Sequence, residues 1–286
     1  MQTLEFTKMA GCGNDFIIID NRSGQIESQL KRELAQTLCR RKRSLGADGL
    51  IFVEKSSLAD AKMEFFNSDG SKGEMCGNGL RCFARYLAEA GICKRMMQLE
   101  TDAGLYMAKV IPENLVRLVM PPVKLPKRNL TLPGLPELDF VTVGVPHAII
   151  FAQGSWDWED ARLIETGRLI RQHPYFPLGT NVNFVTQDEN ILKVRTYERG
   201  VEGETLACGT GATASALASS LIFPQLTSPI TVHTRGGTLQ VGFQRSRDGF
   251  IDVWLQGNAL ILAKGIICPD AFSDIGDAYT CPKSPG

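Results

Sequence analysis

Met75-Cys76-Gly77-Asn78-Gly79-Leu80-Arg81-Cys82-Phe83-Ala84 and Ala207-Cys208-Gly209-Thr210-Gly211-Ala212-Thr213-Ala214-Ser215-Ala216 are two copies of one stretch. Each reads Cys-Gly-polar-Gly and then turns helical. After Cys76, the residues Leu80, Phe83, Leu87 and Ala88 share one helical face, and Gly91 stands where a helix ends. After Cys208, small and apolar residues run to Ile222, the pattern of a helix buried all round that stops before Pro224. Both cysteines therefore stand at a helix mouth, where N–H groups point outward and the macrodipole is positive. A thiolate is stabilised there, and so is a carboxylate.

The flanking segments repeat as well. Lys62-Met63-Glu64-Phe65-Phe66 alternates as a half-buried strand, and the turn cluster Asn67-Ser68-Asp69-Gly70-Ser71 leads on to Cys76. Leu192 to Tyr197 alternates in the same way, Glu198-Arg199-Gly200 turns, and Glu202-Gly203-Glu204-Thr205 leads to Cys208. Strand, polar turn, cysteine, helix: the order occurs twice and implies a duplicated domain with two helix mouths brought to one cleft. The expected fold is thus α/β (α+β type), two pseudo-symmetric domains with the active site in the cleft between them.

Further helices are expected from about Ser28 to Arg40, where Leu30, Leu34 and Leu38 recur, and from Glu159 to Arg171. Arg40-Arg41-Lys42-Arg43 reads as a solvated helix end. Gly11-Cys12-Gly13-Asn14 interrupts two strands as a turn, and Gly144-Val145-Pro146-His147 is a candidate site loop. Proline-rich segments at 120–126 and 133–136 mark the domain boundary. One domain is expected over 1–120, joined by a C-terminal strand near 260–270, a second over 121–262, and a loose tail over 271–286.

At 286 residues, with 43% apolar and 22% charged side chains, the chain suits about two soluble domains. Its formal net charge of zero argues against a nucleic-acid or anionic-membrane partner held by bulk electrostatics. The N-terminus lacks the pattern of a signal peptide, no apolar run reaches membrane-helix length, and the expectation is a cytoplasmic protein. Eight cysteines without a Cys-x-x-Cys pair argue against zinc and for mostly buried thiols.

A thiol with a pKa near 8.5 is only about 3% thiolate at pH 7, and a helix N-terminus raises that fraction. Two thiols in one dry cleft resist ionising together, so one thiolate faces one thiol: one base, one acid. A substrate held by its carboxylate at the helix mouths would lose its α-proton to one sulfur and receive another on the opposite face. That inverts the carbon and needs neither pyridoxal phosphate nor a metal.

The blocks Phe6-Thr7-Lys8-Met9-Ala10-Gly11-Cys12-Gly13-Asn14-Asp15-Phe16, Gly46-Ala47-Asp48-Gly49, Phe66-Asn67-Ser68-Asp69-Gly70-Ser71 and Met75-Cys76-Gly77-Asn78-Gly79 closely resemble the diaminopimelate epimerase family. So do Gly179-Thr180-Asn181-Val182, Tyr197-Glu198-Arg199-Gly200 and Glu204-Thr205-Leu206-Ala207-Cys208-Gly209-Thr210-Gly211. The resemblance runs over nearly the whole chain, except past about residue 270. It implies two similar domains, each a curled β-sheet around a central helix, and inversion of one centre of L,L-diaminopimelate in lysine and peptidoglycan-precursor synthesis. It makes Cys76 and Cys208 the acid–base pair, with Gly77-Asn78 and Gly209-Thr210 cradling the carboxylate. Asn14, Asn67, Asn181, Glu198 and Arg199 hold the substrate, Arg199 gripping the distal carboxylate, while His147 and Glu198 support catalysis. It implies no cofactor and leaves a homodimer open. Two positions depart from it: many members carry Asn at Val145, and some carry Gln at Gly49. Rival readings are a racemase of histidine or glutamate on the same fold, an amino-acid-binding module without turnover, and a dithiol redox protein.

Overall fold

In the computed structural model, residues 4–73, 76–268 and 270–272 are described. Met75, Cys281 and the tail expected to be loose beyond Phe272 lie outside them. The chain forms two compact units, one holding the residues up to Leu118 and again from Asn258, the other Val119 to Gly257.

In the first unit, β1 (Leu4–Gly11) and β2 (Asn14–Asp20) form an antiparallel hairpin. Its two turn residues, Cys12 and Gly13, both have positive φ (47° and 91°). That backbone matches the twist of the flanking strands, and it places Asn14 first in β2. α1 (Ser28–Leu38) crosses to β3 (Gly49–Glu54), which lies parallel to β2. β4 (Ala61–Asn67) runs antiparallel to β3, and the short β5 (Lys72–Gly73) antiparallel to β4. Cys76 and α2 (Gly77–Glu89) follow. β6 (Met96–Thr101) is parallel to β4, and β7 (Gly104–Ile111) and β8 (Leu115–Val119) continue as an antiparallel meander.

The second unit begins with the short β9 (Val123–Lys124) and β10 (Lys127–Leu130). The prolines at 121, 122 and 126 lie in this unit, where Val123 is buried. β11 (Leu138–Val143) and β12 (Val145–Phe151) form an antiparallel hairpin reversed at Gly144, whose φ is +70°. α3 (Asp160–Arg171) crosses to β13 (Asn181–Asp188), parallel to β12. β14 (Ile191–Glu198) and β15 (Gly203–Thr205) follow antiparallel, then Cys208 and α4 (Gly209–Ser220). β16 (Ile230–Thr234) is parallel to β14, with β17 (Gly237–Arg245) and β18 (Gly249–Asn258) antiparallel beyond it. β19 (Leu260–Ile267) belongs to the first unit and pairs antiparallel with β1.

The two units thus repeat one topology: hairpin, helix, parallel strand, two antiparallel strands, cysteine, helix, parallel strand, antiparallel strands. Within the first, the unbroken apolar run of β2 serves two cores, since successive side chains face opposite ways. Phe16 and Ile18 pack with Leu80, Phe83, Ala84 and Leu87 of α2, while Ile17 and Ile19 pack with Leu34, Ala35 and Leu38 of α1. Burying each such large side chain contributes about 1.5–3 kcal/mol. In the second unit α4 is buried at every residue from Gly211 to Ser220 and touches strands β11 to β14, β16 and β17. It is the central helix that the uniform run of small residues after Cys208 implies.

Candidate active site

Several residues that the family resemblance singles out fall at corresponding strand ends. Asn14 opens β2, Gly49 opens β3 and Asn67 closes β4; Val145 opens β12, Asn181 opens β13 and Glu198 closes β14. The pairings match too: Phe16 lies opposite Gly49 and Gly49 opposite Asn67, as His147 lies opposite Asn181 and Val182 opposite Tyr197. The strand then leads through a short pairing strand to the cysteine. Cys76 and Cys208 are each the residue before the helix, with extended backbone (φ −133°, ψ 116° and φ −108°, ψ 111°). Each carbonyl accepts the first helical bond, from Leu80 at 2.8 Å and from Ala212 at 2.9 Å.

In the first unit a chain of side chains runs from α2 to the β3 end. Arg81, fully buried, donates to Asn78 Oδ1 at 2.7 Å. Asn78 Nδ2 donates to Asn14 Oδ1 at 2.7 Å, and Asn14 Nδ2 donates to Asp48 at 3.0 Å. A guanidinium has only donors and a carboxylate only acceptors, so both amide orientations follow from the two ends of the chain. Asp48 is held in turn by Arg41, 2.8 Å away, and Arg41 also pairs with Asp15 at 2.6 Å. Arg40 to Arg43 are exposed beyond the end of α1, as a solvated stretch should be, and Arg41 at the same time anchors this corner. Burial raises the Asp15 carboxyl, but Lys8 and Arg41 outweigh it and hold the group below its ordinary range. Asn67 donates to Ser71 Oγ at 2.9 Å inside its own turn.

Gly49 is explained by its neighbours. A side-chain carbon there would lie 2.4 Å from the Phe65 ring and 2.7 Å from the Phe66 carbonyl oxygen, so no larger residue fits without moving the sheet.

In the second unit Cys208 Sγ accepts from the Gly211 N–H at 3.4 Å and lies 3.4 Å from Thr210 Oγ1. The helix mouth thus turns a donor onto the sulfur, the arrangement that favours a thiolate. The Gly144 turn runs against Thr210, whose Cγ2 would be 4.0 Å from a side-chain carbon on Gly144. Asn181 Oδ1 accepts from the Arg199 backbone N–H at 2.8 Å, and Arg199 Nη1 donates to the Leu178 carbonyl at 3.0 Å. Burial pushes the Glu198 carboxyl up, an effect partly offset by the Thr205 hydroxyl that donates to it at 2.8 Å.

His147 is not on a loop. Gly144 alone reverses the chain, and His147 is the third residue of β12, fully buried. Its Nδ1 meets Asn183 Nδ2 at 3.1 Å. Burial and the Arg199 charge lower its pKa to about 3. Asn183, Asp48, Arg81 and Thr205 carry no role in the sequence reading. The available signal for Asn183 is its polarity two residues after Asn181, on the same face of an otherwise apolar strand. Among the described residues no group of metal-ligating side chains occurs, and no helix is long and apolar enough to cross a membrane.

Two repeats of one α+β topology, each with a cysteine at a helix mouth, make up a two-unit fold. That fold is also found in a hydroxyproline epimerase of Agrobacterium vitis, with TM-score 0.64 and 19% identity, covering 96% of this chain and 94% of that one. The fold is shared with the phenazine biosynthesis protein of the PhzF family from Bacillus anthracis, with TM-score 0.68 and 14% identity, covering 94% of this chain and 100% of that one. Residues 6–125 and 140–253 match the family model for diaminopimelate epimerase, and the chain belongs to that family. It is 42% identical over 276 residues to the diaminopimelate epimerase of Aquifex aeolicus (92% of this chain, 97% of that one). To that of Caldanaerobacter subterraneus it is 42% identical over 285 residues, covering 92% and 99%. The family is one of isomerases.

Proposed function

We propose that this chain inverts one α-carbon of L,L-2,6-diaminopimelate to give the meso isomer, a step of lysine and peptidoglycan-precursor synthesis, with Cys76 and Cys208 as its acid–base pair. The observation that carries the reading is the identical topological position of the two cysteines in a chain of this family. One sulfur, as thiolate, takes the α-proton. The electron pair left on carbon spreads into the carboxylate, whose growing charge meets the helix-mouth N–H groups around Gly77-Asn78 and Gly209-Thr210. The other thiol delivers its proton to the opposite face, so the two sulfurs end with their protonation states exchanged. The scheme requires one sulfur on each face of the carbon, and no step uses pyridoxal phosphate or a metal.

Asn14, Asn67, Asn181, Glu198 and Arg199 hold the rest of the substrate, Arg199 through charge-assisted bonds to the distal carboxylate. His147 and Glu198 support the exchange. A reducing, cytoplasmic setting suits two thiols that must stay reduced, and a homodimer is the assembly to test by light scattering. Incubation with L,L-diaminopimelate, L-histidine and L-glutamate followed by chiral analysis tests the reading. Meso-diaminopimelate is the expected product; faster inversion of either other amino acid overturns the substrate assignment.

A further inference from the structure

The repeat allows each buried position beneath one helix to be compared with its counterpart beneath the other. Under the first turn of α2 lie Phe16, Ile51 and Phe65, with Ile51 paired to Phe65 and the Phe16 and Phe65 rings 6.0 Å apart, edge to face. A side-chain carbon on Gly79 would lie 3.3 Å from Ile51 and 3.5 Å from Phe16. The corresponding residues under α4 are His147, Asn183 and Thr196, with Asn183 paired to Thr196. A side-chain carbon on Gly211, the counterpart of Gly79, would lie 2.3 Å from Asn183 Oδ1 and 3.2 Å from Thr196 Oγ1. The same scaffold is thus filled once by an apolar trio and once by a polar one. Packing alone does not call for the polar trio, since the first unit does without it.

The hydrogen bonds of the trio have only one consistent polarity. Asn183 lies 3.1 Å from the Ala148 carbonyl oxygen, an obligate acceptor, so the atom facing it is the amide nitrogen. Asn183 Oδ1 accepts from the Thr196 hydroxyl at 3.0 Å. The second amide hydrogen then points at His147 Nδ1, which must offer a lone pair. The ring proton is left on Nε2, and among the described residues Nε2 has no hydrogen-bond partner although it is buried. Protonating Nδ1 would set two hydrogens against each other. Arg199, in the turn after β14, adds its field against a cationic ring. The strands beside it also carry Asp139 on β11, Asp188 on β13, and Lys193, Arg195, Tyr197 and Glu198 on β14, and Cys208 precedes α4.

We propose that Asn183 is a positioning residue that locks His147 as the neutral Nε2–H tautomer, so that His147 serves the reaction as a hydrogen-bond donor beneath α4 and not as a proton-transferring base. The donor role rests on the epimerase reading above; the tautomer does not.

The test is nitrogen NMR of protein carrying 15N-labelled histidine, with His147 assigned against His147→Gln. The expected spectrum shows a protonated Nε2 and an unprotonated Nδ1 that do not titrate between about pH 5 and 9. Asn183→Asp, whose carboxylate can only accept, is expected to move the proton to Nδ1. Thr196→Val, which leaves the Ala148 anchor in place, is expected to keep it on Nε2, and this second variant holds the test if the first does not fold. A wild-type Nδ1–H, or a His147 titration near pH 6.5, overturns the proposal. In turnover, His147→Gln keeps an N–H donor. The expected loss in kcat/KM is therefore at most about 2- to 13-fold, the size of one neutral hydrogen bond, with both limbs of the pH profile unmoved. A loss of about 100- to 10,000-fold with a missing limb would mark a general base and overturn the donor role. Failure of the wild type to turn over diaminopimelate, with the NMR as expected, would sink the reaction and leave the tautomer standing.

Discussion

Cys76 and Cys208 occupy one position in two copies of a topology: each follows a short pairing strand and immediately precedes a helix, with extended backbone at both. The other thiols among the described residues lack that setting. Burial pushes Cys39 and Cys82 up to about 12 and raises Cys93. Cys76→Ala and Cys208→Ala are therefore each expected to abolish net epimerisation. Cys39→Ala and Cys93→Ala are expected to retain it, as a coupled assay of meso product would show.

Gly211 is where α4 meets the polar trio most closely. Gly211→Ala places a carbon 2.3 Å from Asn183 Oδ1, and the helix or Asn183 must shift. Overpacking of this kind costs about 1–3 kcal/mol, and the shift also disturbs the N–H that Cys208 Sγ accepts. Urea unfolding and kcat/KM should fall together; an unchanged variant would contradict the tight approach.

The two departures from the family should answer differently to reversal. Val145 is half-buried at a strand end, and Val145→Asn adds at most one or two neutral hydrogen bonds, a change of about 2- to 13-fold each in binding. Gly49→Gln meets the Phe65 ring and the Phe66 carbonyl and is expected to lower stability and activity instead. Comparing kcat/KM and thermal midpoints of the two variants checks this; a well-folded, active Gly49→Gln protein would show that the sheet yields there.

The two cysteines were readable from residue order alone, because a cysteine before a helix is a local feature. Asn14, Asn181 and Glu198 were singled out only by the resemblance to the diaminopimelate epimerase family, and they lie at strand ends. The trio of His147, Asn183 and Thr196 was not, since it spans three strands and exists only once their register is set. The same holds for Arg81 and Asp48, which meet through Asn78 and Asn14. His147 read as a loop residue because Gly-Val-Pro looks like a break, whereas one residue with positive φ suffices to reverse the chain.

Acid stability should carry the mark of His147. Its folded pKa lies well below the unfolded value, so the unfolded chain binds the proton first as pH falls. The contribution is fully present above about pH 6.5 and is lost progressively as pH falls towards about 3. In His147→Gln the urea midpoint should vary less over that window than in the wild type. Asp15, whose pKa is lowered, adds loss in both proteins only below its ordinary carboxylate range. Parallel slopes for the two proteins would mean that the ring is charged in the folded state.

The most direct test of two sulfurs acting on one carbon is early-time turnover of L,L-diaminopimelate in deuterium oxide. Each thiol exchanges with solvent, so the sulfur that protonates the new face delivers deuterium, while the sulfur that removed the α-proton holds hydrogen. The expected result is meso product carrying one deuterium at the inverted carbon, with recovered L,L substrate still unlabelled. Meso product that keeps its original hydrogen would contradict the two-cysteine exchange, because one base would then have moved a single proton from face to face.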